Sequence, residues 1–307
     1  MKTFFSFAII ITCFTGSIKA QDTLNFTKTE VIYGRKDGMA LTMLVLTPKE
    51  KGVGKAIIKV VSGNWVSSYN QAAQFAGRSI NYINKGYTVF IVMHGSQPRY
   101  TIPDEITDLK RAVRFIRYNA REYHIDSNHI GITGYSSGGH LSLMVGLSDD
   151  TINMASKDPV NRVSARVQAV AVFYPPTDFL NWGKPNAVLV EARAALTLAV
   201  VAPAFEFKEW NDTTKTYQLI SDPGKRLQIA KQTSPIYAVS NDDPAVLIVH
   251  GDADNVVPLQ QSESMIKKLI DANVTNQLII KKGGGHGWKN QEVEEQEFIK
   301  WFEKYLK

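Results

Sequence analysis

The 307-residue sequence has one cysteine, Cys13. A single thiol excludes an intramolecular disulfide and a cysteine-rich metal site, and past residue 13 it excludes thiol catalysis. There is no run of five or more lysines and arginines; Lys267-Lys268 and Lys281-Lys282 are isolated pairs. The formal charge of +6 is therefore scattered, solvated charge, and nucleic acid is not an expected partner. Internal repeats and low-complexity stretches are also lacking. The longest largely apolar stretch, residues 4–14, is too short to span a bilayer, and no second apolar run is long enough to cross one. The whole sequence is 44% apolar and 21% charged, the balance of a chain with one large core.

Residues 1–20 read as an export signal. Lys2 supplies the positive start, residues 4–14 the apolar run, and Ala20 a small residue before Gln21. Ile18 departs from the small residue usual three places back. Lipid attachment at Cys13 is the weaker alternative, because it needs an unusually short signal and Thr12 precedes it poorly. The expected mature chain, residues 21–307, holds no cysteine, and loss of Lys2 and Lys19 lowers its charge from +6 to +4. The expectation is an exported protein, periplasmic or secreted, with no stable membrane insertion once the signal is removed.

After the signal, strand-like and helix-like segments alternate. Residues 31–34 and 40–46 form an expected strand pair around a turn at Lys36-Asp37-Gly38. Further strands are expected at residues 56–61, 87–93, 129–134, 167–174, 245–250 and 278–281. Helices are expected at 71–85, 103–123, 260–272 and 292–305, with another after Gly138. This alternation predicts an α/β domain with a mostly parallel central sheet and helices on both faces. It fails across residues 178–240, where prolines and tryptophans punctuate short helical pieces such as 189–201. That segment is expected to be a short helical cap inserted over the strand ends, within a single domain.

The chemistry concentrates in three loops. Gly134-Tyr135-Ser136-Ser137-Gly138-Gly139 is a G-x-S-x-G motif between an expected strand and an expected helix. That context makes a sharp turn that raises the Ser136 hydroxyl at the carboxyl edge of the sheet. A serine hydroxyl is a weak nucleophile and needs a base. Of the six histidines, His286 lies in Gly283-Gly284-Gly285-His286-Gly287-Trp288, where glycines free the backbone to project the ring. His140 and His250 read as packing residues, His124 and His129 fall at the opposite sheet edge, and His94 is a reserve on the substrate side. The orienting acid is expected in the loop after residue 250: Asp254 reaches further along it, while Asp252 holds the turn and Asp178 is a distant third. The order Ser, Asp, His suits a strand-turn-helix nucleophile. For the oxyanion, backbone N–H donors are expected from Ser137 and from Gly63 or Asn64 in the loop after residue 61. Trp65 and Trp288 are expected to line the pocket.

These motifs together resemble the esterase/lipase branch of the α/β hydrolases, the group with prolyl-oligopeptidase-like catalytic domains. The resemblance runs from about Lys55 to the C-terminus and rests on Ile125-Asp126 with HIGITGYSSGGHLS, on HGDADNVVP and on GGGHGW. It implies the α/β-hydrolase fold and a Ser136, Asp254, His286 triad, the same three residues reached from the loops. Relatives often carry a His-Gly-Gly run where this chain has Val61-Ser62-Gly63-Asn64-Trp65, which sets the second oxyanion donor apart. Oligopeptidases of this kind also carry a large N-terminal propeller, and about thirty-five residues between signal and core cannot build one. The expected function is therefore a secreted serine hydrolase of carboxylic esters, small or glycan-linked, without metal or organic cofactor. The alternative is a peptidase of small peptides, for which Glu191, Arg193, Glu206 and Glu209 in the cap are candidate terminus-binding groups.

Overall fold

The structure is a computed structural model that describes residues 25–50 and 52–307. The expected export signal and Cys13 lie outside the described residues.

The chain begins with β1 (Phe26–Lys36) and β2 (Met39–Pro48), an antiparallel pair. Asp37 and Gly38 join them with φ of 48° and 78°, the two-residue turn that an Asp-Gly step favours. Next come β3 (Ala56–Val60), α1 (Tyr69–Gly77), α2 (Ile80–Asn84), β4 (Thr88–Val92), α3 (Ile102–Tyr118), β5 (Ile130–Tyr135), α4 (Ser137–Leu147) and β6 (Ala169–Phe173). The insertion follows, with α5 (Arg193–Leu198), β7 (Lys208–Asn211), β8 (Thr216–Leu219) and α6 (Pro223–Gln232). The chain closes with β9 (Ala245–Gly251), α7 (Gln260–Asp271), β10 (Asn276–Lys281) and α8 (Glu292–Tyr305).

Eight strands form one sheet in the order β1-β2-β4-β3-β5-β6-β9-β10. β2 is antiparallel to both β1 and β4, and every pairing from β4 to β10 is parallel. The inner strands are apolar on both faces, so alternate residues feed two cores. Ile58, Val60, Ile132, Val172 and Ile248 pack with Val113 of α3, Leu143 of α4 and Met265 of α7. Ile57, Ala171, Phe173 and Val249 pack with Ala72 of α1, Tyr82 of α2 and Phe298 of α8. Full burial of each large aliphatic side chain contributes about 1.5–3 kcal/mol. All eleven residues of α4 are buried, so the helix that follows Ser136 is held from every side.

Four elements differ from the expectation. β1 begins at Phe26, five residues before the strand expected over 31–34. The single helix expected over 71–85 is two, because the Ser79 hydroxyl donates to Phe75 O at 2.7 Å and its N–H turns to Ala76 O, tightening the chain after Gly77. The helix expected to reach residue 123 stops at Tyr118, where the Asn119 side chain bonds Phe115 O at 2.8 Å. The insertion holds a hairpin, β7–β8, as well as short helices. Phe179, Phe205 and Phe207 of the insertion belong to the same core as the sheet, so the insertion packs against it.

Candidate active site

Each of the three loops singled out in the sequence leaves the carboxyl end of a strand. β5 turns into α4 at Ser136, whose φ of 52° and ψ of −121° place a non-glycine residue in a strained region. Such strain costs about 1–3 kcal/mol and persists only where the surroundings enforce it. The turn is tight because Gly134 has no side chain: a Cβ there would lie 2.3 Å from Gly138 O. Ser136 N–H is fixed to Phe173 O at 3.0 Å, which leaves the side chain raised at the edge of the sheet.

The loop after β9 carries Asp254. Its Oδ1 accepts from Val256 N–H at 2.8 Å and Val257 N–H at 2.9 Å. Its Oδ2 lies 2.8 Å from His286 Nδ1 and 3.4 Å from His250 Nε2. Burial would raise this carboxyl, but the hydrogen bonds from His250, His286 and the Val257 and Val256 N–H groups outweigh it and hold the group well below the usual carboxylate range. Asp254 is thus an anion at any working pH. It fixes the proton of His286 on Nδ1 and leaves Nε2 free to accept, and Ser136 Oγ lies 2.8 Å from that atom. The loop of His286 passes so close to the end of β9 that a Cβ on Gly251 would fall 2.1 Å from Gly284 O. Asp252 holds the same loop from outside, accepting from Gly283 N–H at 2.6 Å.

A fourth loop follows β3. Gly63 and Val66 bond each other's N–H and C=O reciprocally at 2.9 Å. This corrects the expectation that Gly63 could donate to an oxyanion, because its N–H is already taken. Trp65 N–H donates to Ser137 Oγ at 3.1 Å. Of the loop's expected donors, the Asn64 N–H is left without a partner among the described residues, as is the Ser137 N–H in the first turn of α4. Asn64 and Trp65 have φ of 54° and 57°, two successive left-handed non-glycine residues. A serine hydroxyl bonded to an imidazole, itself bonded to a carboxylate, can be deprotonated as it attacks, and two free N–H groups can receive the resulting oxyanion.

Ser136 and His286 line a cavity of about 530 Å³ whose wall is largely apolar, with Trp65, Trp182, Leu189, Leu196, Val201 and Val257. Two expected pocket residues lie elsewhere. His94 is buried under α3, its Nδ1 bonded to Gly95 O at 2.7 Å and 3.8 Å from Glu105 Oε2, and burial lowers its pKa to about 4. Trp288 packs edge-on against Phe173, donates to Glu294 Oε2 at 2.8 Å, and lines a separate polar cavity with Arg78 and Gln291. The cap charges offered for peptide binding do not line the Ser136 cavity either: Arg193 faces Glu206 at 3.3 Å and Glu209 pairs with Lys225.

Two residues named in the sequence make bonds at the site that the sequence did not show. Ser137 supplies its hydroxyl as well as its N–H, accepting from Trp65 N–H while 3.0 Å from Ser62 Oγ. His140 accepts from Trp65 Nε1 at 3.3 Å and donates from Nε2 to Thr233 O at 2.7 Å, so it ties α4 to the loop after β3 and to the insertion. Its position one turn beyond Ser136 was visible in the sequence; its partners, 75 and 93 residues away, were not. Among the described residues no group of three or more His, Cys, Asp or Glu is placed to hold a metal, and no helix is long and apolar enough to cross a membrane.

Comparison with known proteins places these features in a family. The BD-FAE family model matches residues 43–269, a span that includes Ser136 and Asp254. A probable carboxylic ester hydrolase of Mycobacterium tuberculosis, LipM, is 26% identical over 219 residues, 71% of this chain and 45% of that protein. An acetylxylan esterase of Xylanibacter ruminicola is 32% identical over 114 residues, 36% of this chain and 22% of that protein. A solved structure described as a truncated carbohydrate esterase from gut microbiota superposes with a TM-score of 0.69 at 27% identity, covering 91% of this chain and 97% of that one. The chain spans about half the length of the first curated relatives it matches. The matched span runs from β2 into α7, through every strand of the parallel sheet except β10 and through the loops after β3, β5 and β9, and the chain belongs to the BD-FAE family, an α/β-hydrolase domain of esterase and lipase type.

Proposed function

We propose that the protein is a serine hydrolase of carboxylic esters acting through an acyl-enzyme on Ser136. The observation that carries this is the relay of two 2.8 Å contacts, Ser136 Oγ to His286 Nε2 and His286 Nδ1 to Asp254 Oδ2, at the wall of an apolar cavity. In the first half-reaction Ser136 Oγ bonds to the acyl carbon as its proton passes to His286 Nε2. The carbonyl oxygen becomes an anion held by the N–H groups of Ser137 and Asn64. Collapse of this intermediate expels the alcohol, which takes the proton from His286. Water then attacks the acyl-enzyme by the same route, releasing the acid and restoring the serine. Asp254 stays ionised and stabilises the imidazolium formed in each half.

The substrate class we favour is an acylated carbohydrate. Its support is the likeness to a carbohydrate esterase over nearly the whole chain and the local identity with an acetylxylan esterase. The export pattern of residues 1–20 fits a substrate outside the cell. Hydrolysis of a p-nitrophenyl ester series, acetate to palmitate, by the parent and by Ser136→Ala tests the reaction. Turnover lost in the variant is expected; turnover equal in both would refute the acyl-enzyme. Acetylated xylan and acetylated monosaccharides test the substrate class, and activity on aryl acetates with none on either sugar ester would refute it.

A further inference from the structure

We infer that Gln97 is a positioning residue that sets the second oxyanion donor and couples it to the cap. The inference rests on the esterase reading of the same site. The Asn64 N–H belongs to the peptide between Gly63 and Asn64, and the carbonyl of that peptide is held by Val66 N–H at 2.9 Å. The next peptide is held at both ends. Trp65 N–H donates to Ser137 Oγ at 3.1 Å, and Asn64 O accepts from Gln97 Nε2 at 2.8 Å. The peptide after that is held at its carbonyl by Gln97 N–H, which donates to Trp65 O at 3.3 Å. One residue thus grips two successive carbonyls of a backbone that Asn64 and Trp65 hold in the left-handed region. No glycine relieves that conformation, so external bonds must maintain it.

The second proton of the Gln97 carboxamide goes elsewhere. Nε2 also donates to Val200 O at 3.0 Å. Val200 follows α5 and has a φ of 59°, a strained value for a β-branched residue. Its neighbour Val201 lines the cavity beside Ser136. Gln97 therefore bridges the loop that meets the oxyanion and the cap segment that meets the substrate. Asparagine is one methylene too short to span both carbonyls, and glutamate would set a carboxylate against them.

The test compares the parent with Gln97→Met, which keeps the volume and removes both donors, and with Gln97→Ala. On p-nitrophenyl acetate, kcat is expected to fall about 10- to 100-fold, short of the 100- to 1000-fold typical of losing an oxyanion donor outright. KM is expected to change less than about threefold, because the oxyanion forms only in the transition state. Affinity for an alkyl boronic acid, which forms a tetrahedral anion on the serine, should fall in parallel with kcat. A merely structural role would lower the melting temperature without separating kcat from KM. If Gln97→Met retains kcat and boronate affinity within about twofold of the parent, the role of Gln97 is overturned while the esterase reading stands. If the parent itself shows no Ser136-dependent ester turnover, both fall.

Discussion

Ionisable groups buried at the site make their effects readable by titration. Asp254 is held below its ordinary pKa, so the unfolded chain takes up its proton first as pH falls. Its contribution to stability is full above about pH 4 and is lost as pH drops through the lower folded value. Asp254→Asn should therefore be less stable than the parent at pH 6, with the gap in melting temperature closing below pH 4. The same variant should lose about 10³- to 10⁴-fold in kcat on p-nitrophenyl acetate, because the imidazole tautomer is no longer fixed. His140 acts in the same direction at higher pH. Burial lowers its pKa from 6.5 to about 4. Above pH 6.5 it is neutral in both states and has no effect. Between pH 6.5 and 4 only the unfolded chain binds the proton, so stability falls by up to about 3 kcal/mol. His140→Gln keeps an acceptor for Trp65 and a donor for Thr233 without the titration. Scanning calorimetry at pH 7 and pH 4.5 should show a smaller acid loss in the variant; an equal loss would mean that His140 is not the neutral buried group described.

Between elements, the most consequential polar tie lies away from the site. Lys59 of β3 reaches Glu295 of α8 at 2.7 Å and Arg78 O at 3.2 Å, with its ammonium 4.9 Å from the centre of the Tyr82 ring. Its side chain is 1% exposed and that of Glu295 6%, so neither charge has water to fall back on. Removing one partner leaves the other buried and uncompensated, which costs about 3–5 kcal/mol, whereas removing both charges is close to neutral. Denaturant titration should thus find Lys59→Ala strongly destabilised and Lys59→Met/Glu295→Gln close to the parent. A double variant as unstable as the single one would refute this account. From sequence, Lys59 breaks the apolar run of residues 56–61, but its partner is 236 residues away. The β7–β8 hairpin was illegible for a related reason. Its strands are only four residues each, too short for a period to stand out, and Trp210, Tyr217 and Leu219 are exposed, so no core contact pins it.

At the scale of the whole molecule, the proposed esterase reading puts selectivity in the space between sheet edge and cap. Val201 lines that space, and Val201→Phe should fill part of the cavity while leaving Ser136 and His286 untouched. The ratio of kcat/KM for p-nitrophenyl hexanoate over acetate is expected to fall about 10-fold, the scale on which a hydrophobic pocket rejects extra methylenes. An unchanged ratio would show that the acyl chain lies elsewhere.

The α/β alternation, the strand boundaries to within a residue or two over most of the sheet, and the three loops bearing Ser136, Asp254 and His286 were all legible in the chain. These are local properties: apolar runs of strand length, helical periodicity, and glycines that permit a sharp turn at Gly134 or a close approach at Gly251. Which neighbours of those loops enter the cavity was not local. Trp288 and His94 sit beside the right loops but point into other packing, and Gly63 spends its N–H on Val66. The loop proposed to meet the oxyanion is held by Ser137, His140 and Gln97, whose bonds to it run 72, 75 and 33 residues along the chain. Residue type and spacing announce a turn or a helix, whereas the direction of a side chain and the partner of a buried donor are decided only when the sheet, its helices and the cap close on one another.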